Sequence, residues 1–278
     1  MNTIALFGAG GKMGVRLANN LKGTDYDVDH IEISEEGRQR LRNEVGVEAV
    51  DADNAIARAD VAIMAVPDKL IGKVTASVIE KVKPGTAFVV LDAAAPHAGE
   101  MPERDDVTYF VTHPCHPPIF NDETDPEAKA DFFGGVKAKQ HIVCALMQGP
   151  EEHYAMCEQV ARTIYAPVMR AHRCTVEQIA ILEPALSETV GATFAMSMRE
   201  AADEAIRRGV PKQAAYDFLL GHLTIELAIA FDIFPEGKFS DGALLAIEQA
   251  RSVIFQKDWK EKVFAPEAVL QSVKDICE

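Results

Sequence analysis

Gly8-Ala9-Gly10-Gly11-Lys12-Met13-Gly14 is the stretch that decides the fold. It follows the apolar run Thr3–Phe7 and opens a helical pattern over Lys12–Leu21, which is the order strand, glycine turn, helix. Glycines in such a turn let the backbone approach a pyrophosphate closely, and the helix N-terminus adds unpaired N–H groups. The pattern predicts a dinucleotide site at Gly8, Gly10, Gly11, Lys12, Met13 and Gly14.

Apolar runs and helical patterns continue to alternate through the first half of the chain. Further strands are predicted at 29–33, 59–66, 86–91, 108–111, 141–147 and 168–171, and helices at 70–82 and 151–164. The polar stretch 121–127 is expected to be an irregular connection or a lid. This alternation predicts an α/β fold with a Rossmann-type, doubly wound parallel sheet that helices cover on both faces.

The second half has only helical periodicity. Predicted helices cover 176–208, 212–231, 241–256 and 266–276, and Gly209, Pro211, Pro235 and Pro266 separate them. We expect an NAD-binding Rossmann domain over 1–173 and an all-helical domain for substrate binding and dimerisation over 174–278. The helix at 212–231 is apolar nearly all round, so it should be buried, and a homodimer would supply the cover.

Charge and composition exclude several kinds of partner. The formal net charge is −15, which argues against nucleic acid and anionic membranes because both need a basic surface. The longest apolar segment, 218–234, is interrupted by His222, Glu226 and Asp232, which argues against a membrane span. The five cysteines form no Cys-x-x-Cys pair, and the opening residues lack a basic signal region. We therefore expect a cytoplasmic protein that acts on a small molecule.

An acidic residue after the second strand indicates which nucleotide is bound. A carboxylate at Glu32 can accept hydrogen bonds from both ribose hydroxyls and repels a 2′-phosphate, which favours NAD over NADP. Arg38 and Arg40 leave NADP open, and a solvated strand-end acid is the structural alternative. Val66, Pro67 and Asp68 close the next predicted strand, where the nicotinamide half of the cofactor would pass. Asp92 follows the predicted strand 86–91 and is interpreted as an ordinary loop residue.

A histidine-proline loop follows the strand at 108–111. The sequence Thr112-His113-Pro114-Cys115-His116-Pro117-Pro118 holds two imidazoles in a segment that prolines stiffen. Histidine serves as a general acid or base and as a metal ligand, and we favour a direct role for His116. A structural turn with His113 bonded to the backbone is the alternative. Covalent catalysis by Cys115 is disfavoured because no nucleophile elbow surrounds it.

Two sets of polar residues interrupt apolar helical stretches. Glu183 and Glu188 flank Pro184, which suggests that the helix proper starts there, and a carboxylate on an apolar face needs a partner or a metal. His222 and Glu226 are spaced i, i+4 and therefore share a helix face. They form either a buried structural pair or part of a site, which a neighbouring subunit could share.

With these motifs the chain resembles the 6-phosphogluconate dehydrogenase-like superfamily, including the β-hydroxyacid dehydrogenases. The glycine motif, Val66-Pro67-Asp68 and a long helix ending near Gly209 carry that resemblance. The dehydrogenases have a Lys-x-x-x-Asn pair on the long helix, whereas this chain has Glu183 or Pro184 and then Glu188. Together with the His113–Pro117 loop, this departure looks closest to the D-apionate oxidoisomerase family.

That resemblance implies a reaction and a metal. NAD would take a hydride from C2 of D-apionate, and a divalent metal would promote a ketol rearrangement to 3-oxo-isoapionate. His116 and Glu188 would be metal ligands or acid/base groups, with Glu183 as a further catalytic residue and with His222 and Glu226 in a lesser role. The rivals are a simple NAD-dependent β-hydroxyacid dehydrogenase, which leaves the carbon skeleton intact, and a non-catalytic NAD-binding sensor.

Overall fold

The computed structural model describes residues 3–278, and strands alternate with helices up to residue 173. The elements of this part are β1 (Thr3–Phe7), α1 (Lys12–Leu21), β2 (Asp27–Ile31), α2 (Glu35–Arg40), α3 (Ala52–Arg58), β3 (Val61–Met64), α4 (Asp68–Val78), β4 (Ala87–Val90), α5 (Ala94–Ala98), β5 (Thr108–Pro114), α6 (Pro126–Ala130), β6 (Gln140–Gln148), α7 (Glu152–Ile164) and β7 (Val168–Arg173). A π-helical turn (Leu41–Val45) extends α2, and a 3₁₀ turn (Ile79–Lys81) extends α4.

The rest of the chain is helical, as its periodicity predicts. It contains α8 (Val176–Ala180), a π-helical segment (Ile181–Ala192), α9 (Thr193–Arg207), α10 (Lys212–Ala230), α11 (Asp241–Ile254), α12 (Trp259–Phe264) and α13 (Pro266–Cys277). Within residues 3–278, none of these helices combines the length and the apolar content that a membrane span needs.

The seven strands form one sheet in the order β2-β1-β3-β4-β5-β6-β7. β1 to β5 are mutually parallel, which confirms the Rossmann-type fold. One pairing departs from the parallel arrangement, because β6 runs antiparallel to β5, and β7 is parallel to β6. An antiparallel neighbour needs no crossover helix. The connection 115–139 therefore starts and finishes at the same end of the strands, the end at which the histidine-proline loop follows β5.

The strands are apolar on both faces, because helices cover both faces of the sheet. Ile4, Leu6 and Phe110 are inaccessible to solvent and belong to one cluster with Leu17 of α1 and Val160 of α7. Strands that helices cover on both faces read as continuous apolar runs, which is why their positions can be predicted from the sequence.

The short helices between β2 and β3 escape the sequence analysis. The segment is rich in charged residues, and its helices depend on side-chain caps: Ser34 accepts from the Gly37 N–H, and Asp51 accepts from the Asn54 N–H. The second strand also ends earlier than predicted, at Ile31. Glu32 therefore follows the strand directly.

Contacts divide the chain into two compact units. The first runs to Glu183 and includes Leu270–Glu278, and the second is Pro184–Val269. The division lies beyond the predicted boundary at 173/174, and the C-terminal part of α13 belongs to the first unit. The assignment of cofactor binding to one domain and of substrate binding and dimerisation to the other remains a prediction.

The prediction that the helix proper begins at Pro184 is wrong. Thr175 caps α8 in a capping box with Gln178, and Pro184 lies inside the π-helical segment. In a π-helix the hydrogen bonds join residues five apart, so this register differs from that of the expected α-helix. The Thr189 hydroxyl donates to the Pro184 carbonyl at 2.8 Å.

The expectation of a buried apolar helix at 212–231 is wrong for a single chain. Ala215 is the one buried residue of α10, and Phe218 is 70% exposed. A helix that is apolar nearly all round normally packs on every side, and the chain alone does not provide that packing.

Candidate active site

The glycine turn between β1 and α1 is built by close backbone approaches. Gly8 has φ +72°, and a Cβ on it would collide with the Ala65 carbonyl at the end of β3. Gly14 is buried in the first turn of α1, and a Cβ there would collide with the Gly8 carbonyl. Gly11 caps α1 without a side-chain acceptor. The first-turn N–H groups therefore meet no capping side chain, which suits an anionic ligand.

A cavity of about 320 Å³ lies at this turn. Its lining contains six of the residues that the sequence predicts for the cofactor, namely Gly8, Gly10, Gly11, Glu32, Val66 and Pro67. Lys12 is exposed, Met13 packs partly against the core and Gly14 joins α1 to the turn, so these three lie beside the cavity. Asp68 is the first residue of α4 and also lies outside the lining.

Ser34 and Gly37 also line the cavity and were not predicted from the sequence, and Arg40, which the sequence named only for NADP, lines it too. Gly10 lets α2 approach the turn, since a Cβ on Gly10 would collide with the Gly37 backbone, and a Cβ on Gly37 would collide with the Glu32 side chain. The glycine inside the charged stretch after Glu32 was the available signal. Arg40 is the residue that leaves NADP open in the sequence, and its guanidinium contacts the Gly10 carbonyl and Glu36.

Glu32 does not behave as a solvated strand-end acid. Its Oε2 accepts the Gly10 N–H at 3.0 Å, and its Oε1 accepts both the N–H and the hydroxyl of Ser34, at 2.8 and 2.9 Å. The carboxylate therefore joins the glycine turn to the start of α2. Its negative charge lies at the wall of the cavity, where a ribose would bind in a fold of this type.

Three polar side chains meet at the carboxyl ends of β3, β4 and β5. His113 Nδ1 lies 3.0 Å from the Leu91 carbonyl and 3.6 Å from Asp92 Oδ2. Asp92 Oδ1 accepts the Ala94 N–H at 2.6 Å. Asp68 lies close enough to both for their charges to affect its ionisation. From the sequence, Asp92 is interpreted as an ordinary loop residue. The contact with His113 is not predicted, because the register of β4 against β5 cannot be read from one strand alone.

The surroundings shift the ionisation of this group. Loss of solvent and then the nearby Asp92 carboxylate raise the pKa of Asp68 to about 6, while His113 acts in the opposite direction. Burial is the main cause that lowers the pKa of His113. Loss of solvent, with Glu100, Asp92 and Asp68 as further causes, raises the pKa of the Cys277 thiol on α13 to about 11. The carboxyl group of Asp68, with its raised pKa, therefore lies near the neutral imidazole of His113 at the carboxyl ends of the strands.

We expect Asp92→Asn to lower the pKa of Asp68, because one of the two groups that raise it is removed. The pKa should stay above its ordinary value, since loss of solvent is the larger cause. Carbon NMR of the Asp68 carboxyl during a pH titration measures both proteins. Asp105→Asn, at an exposed carboxylate, is the control and should leave the titration unchanged. An unaltered Asp68 pKa in Asp92→Asn would contradict the assignment.

His116 has an unusual backbone conformation. Its φ is 60°, in the left-handed region that residues other than glycine seldom adopt. Its Nδ1 lies 2.8 Å from the Phe133 carbonyl, and the ring meets Phe133 edge to face. A carbonyl only accepts, so Nδ1 carries the proton and Nε2 keeps its lone pair. Tautomer fixing of this kind is usual for metal-bound imidazoles.

The two predicted residues of the long helix, Glu183 and Glu188, lie in one π-helical segment but in different compact units. Glu183 is half-buried in the first unit, and Glu188 is exposed in the second. Among residues 3–278, no three His, Cys, Asp or Glu side chains converge as a ready-made metal site. His116 Nε2 and the Glu188 carboxylate each have the donor chemistry of divalent metal ligands.

His222 and Glu226 border an apolar groove of about 490 Å³ in the second unit. His222 Nδ1 lies 2.8 Å from the Phe218 carbonyl, and its ring stacks on Phe218 with centroids 4.1 Å apart. Among the described residues, no hydrogen bond or ion pair joins His222 to Glu226. The interpretation as a buried structural pair is therefore wrong for the single chain, since both residues are exposed.

The chain is similar to known proteins along its full length. A family described as phosphogluconate dehydrogenase (decarboxylating), C-terminal, matches residues 121–277, and one described as NADP oxidoreductase, coenzyme F420-dependent, matches 3–96. D-Apionate oxidoisomerase of Rhizobium rhizogenes is 57% identical over 99% of this chain and 100% of its own length. The enzyme of the same name from Cupriavidus necator is 56% identical over 98% of each chain.

A solved structure extends the comparison to three dimensions. A semialdehyde dehydrogenase NAD-binding protein from Cupriavidus necator, in complex with calcium and NAD, has a TM-score of 0.96. It is 54% identical to this chain, and the match covers 99% of both. The motifs, the fold and these full-length matches agree. The chain is therefore an enzyme of the D-apionate oxidoisomerase family, within the 6-phosphogluconate dehydrogenase-like superfamily of oxidoreductases.

Proposed function

We propose that the chain binds NAD and oxidises D-apionate at C2, with a metal-assisted ketol rearrangement to 3-oxo-isoapionate. The observation that carries the proposal is the joint position of two features. The glycine-turn cavity and the histidine-proline loop both lie at the carboxyl edge of the parallel strands, the edge at which this fold binds its ligands. Two relatives, 57% and 56% identical, are named D-apionate oxidoisomerase, which supports the substrate and the class of reaction.

The glycine-turn cavity is the proposed site of NAD, which supplies the hydride acceptor when bound. The turn at Gly8–Gly14 would hold the pyrophosphate through backbone N–H groups, and Glu32 would accept from the ribose hydroxyls. Gly8 and Gly10 support this fit. A Cβ at either position would collide with neighbouring backbone, so only glycine allows the turn to keep this conformation. Val66, Pro67 and Asp68 would border the nicotinamide half.

Glu32→Gln should weaken discrimination against NADP. The amide keeps the shape of the carboxylate but removes the charge that repels a 2′-phosphate, and Arg40 already lines the cavity. We expect the ratio of kcat/KM for NAD to that for NADP to fall about 10-fold, which corresponds to roughly 1.4 kcal/mol. Glu44→Gln, an exposed acid outside the cavity, is the matched control. An unchanged ratio in Glu32→Gln would assign the charge no role in selection.

His116 Nε2 and Glu188 are the proposed metal ligands, and Glu183 is the further proposed catalytic carboxylate. A divalent metal in this position would polarise the C2 carbonyl and lower the pKa of the neighbouring hydroxyl. Two protein ligands leave coordination positions for two oxygens of the substrate. The donor atoms suit several divalent ions. The calcium in the solved relative supports a cation in this family of proteins.

Product analysis tests the function. The protein is incubated with NAD, a divalent metal and D-apionate, NADH is followed by absorbance, and the product skeleton is read by carbon NMR. NADH with a migrated hydroxymethyl group is the expected result. NADH with an intact skeleton would reduce the chain to a simple dehydrogenase, and NAD binding without NADH from any sugar acid would favour a sensor. Full rearrangement after exhaustive chelation would remove the metal from the proposal.

We also propose that a second copy of the chain covers the apolar helices as a homodimer. α10 and α11 expose Phe218, Leu220, Leu245 and Val253, the last of these to 84%. Large apolar side chains exposed along helices are typical of interaction surfaces, and cyclic dimers are the commonest assembly. Sedimentation should find a dimer for the wild type and a monomer for Leu245→Asp. A monomeric wild type at micromolar concentration would contradict the proposal.

A further inference from the structure

The strand register brings a histidine and a carboxylate together at the substrate edge of the sheet. Val90 of β4 pairs with Val111 of β5, so Asp92 and His113 stand level with each other two residues later. His113 Nδ1 and Asp92 Oδ2 are 3.6 Å apart. Both residues belong to the first unit: His113 lies on β5, and Asp92 lies two residues beyond the end of β4.

The contacts of His113 determine its tautomer. Nδ1 lies 3.0 Å from the Leu91 carbonyl, which can only accept a hydrogen bond, so Nδ1 carries the proton. Nε2 is then a hydrogen-bond acceptor, and among the described residues no protein donor engages it. The side chain keeps 25% of its surface exposed, which leaves one face open at the edge of the sheet.

The other groups around His113 are committed elsewhere. Asp92 has only 8% of its side chain exposed and holds the Ala94 N–H, so it faces His113 and not a ligand. Asp68 on α4 adjoins Val66 and Pro67, which line the nucleotide cavity. His116 is the proposed metal ligand, with its ring centroid 6.3 Å from that of His113. Cys277 on α13 approaches the two carboxylates and is held as a neutral thiol.

We propose that His113 accepts the proton of the substrate hydroxyl during oxidation and that Asp92 is the residue that positions it; this rests on the proposed function. The O–H bond of the C2 hydroxyl breaks, and its proton goes to Nε2. The C2–H bond breaks with its electron pair, which passes as hydride to NAD⁺. The alcohol becomes a ketone, NAD⁺ becomes NADH, and the imidazolium later releases its proton to water.

Asp92 acts through His113 in this scheme. Its carboxylate stands beside Nδ1–H, so it favours the tautomer with a free Nε2 and stabilises the imidazolium that forms. The same division of roles orients the histidine in hydrolase triads. The short bond from Asp92 Oδ1 to the Ala94 N–H fixes the carboxylate itself. The sequence alone interpreted this residue as loop chemistry.

The tautomer can be tested without any turnover. Nitrogen NMR of histidine-labelled protein, free of cofactor and substrate, should find His113 protonated at Nδ1 and unprotonated at Nε2. The reverse tautomer would overturn the proposal, because Nε2 could then not accept a proton.

Kinetics test the role. His113→Asn keeps a donor near the Leu91 carbonyl and removes Nε2, so kcat for NADH formation should fall about 10²- to 10⁴-fold, with KM and NAD affinity nearly unchanged. Added imidazole should restore part of the rate, which a purely structural role would not allow. Asp92→Asn should lose less, and the double variant should be no worse than His113→Asn alone. His172→Asn, at an exposed histidine on β7, is the control.

Retention of NADH formation within about 3-fold in His113→Asn would overturn the proposal, as would additive losses in the double variant. Where His113→Asn is unstable, His113→Gln serves instead, since it places an amide near Nε2, and imidazole rescue is not expected there. The proposed function fails separately, in the carbon skeleton made by the wild type. The test of His113 uses only the NADH rate, with whichever 2-hydroxy acid the wild type oxidises.

Discussion

His116→Asn should lower turnover of D-apionate at least about 100-fold, while NAD affinity stays the same. Asparagine tolerates the left-handed conformation at φ 60°, so the backbone of the loop is kept and only the imidazole is lost. Metal polarisation supplies several kcal/mol to the transition state, and each 1.4 kcal/mol is a factor of ten. Steady-state kinetics with and without added divalent metal measure the effect.

The metal requirement gives this prediction a second readout. The variant should need a higher metal concentration for half-maximal activity than the wild type, because it lacks one of the two proposed protein ligands. Glu188→Gln should shift the same titration, whereas His172→Asn should not. Wild-type metal dependence in His116→Asn, with its turnover intact, would refute a ligand role for the imidazole.

Gly8→Ala should raise the Kd for NAD at least about 100-fold. Two costs add: an L-residue at φ +72° is strained by about 1–2 kcal/mol, and the Cβ collides with the Ala65 carbonyl, so the turn must move away from β3. Movement of the turn shifts the N–H groups that would hold the pyrophosphate. Isothermal titration with NAD, together with the unfolding midpoint in urea, measures both consequences.

Gly23→Ala separates strain from collision. Gly23 has φ +80°, close to that of Gly8, but a Cβ there meets nothing within 4 Å. This variant should lose about 1–2 kcal/mol of unfolding free energy and bind NAD normally. Equal NAD affinities in the two variants would mean that the approach of Gly8 to β3 is irrelevant to the cofactor.

The fold could be predicted well because its signals are local. Strands covered on both faces are continuous apolar runs, and glycine turns and helical periods lie within short windows. The bounds of β1 and α1 agree with the prediction to the residue. The antiparallel β6 was missed, because strand direction depends on where a long connection re-enters the sheet and not on the strand's composition.

The candidate site divides in the same way. Six of the ten predicted cofactor residues line one cavity. Three of the six belong to the glycine turn, and the other three follow β2 and β3, the strands on either side of β1. Ser34 and Gly37 were missed, since they cap and form a short helix that depends on its side-chain cap, and Arg40 was named only as a residue that leaves NADP open. The apolar character of α10 predicted burial, which is wrong for the single chain, because burial needs a covering surface that the single chain does not supply.

The sequence by itself determined the Rossmann-type sheet, the glycine turn, the acidic residue after β2 and the family, since each depends on residues close together in the chain. Only the tertiary structure decided that Asp92 stands against His113 and that Glu32 holds Gly10. It also decided that a π-helical segment carries Glu183 and Glu188. The physical reason is register: hydrogen bonding between neighbouring strands and turns sets which distant side chains meet, and one-dimensional patterns do not contain it.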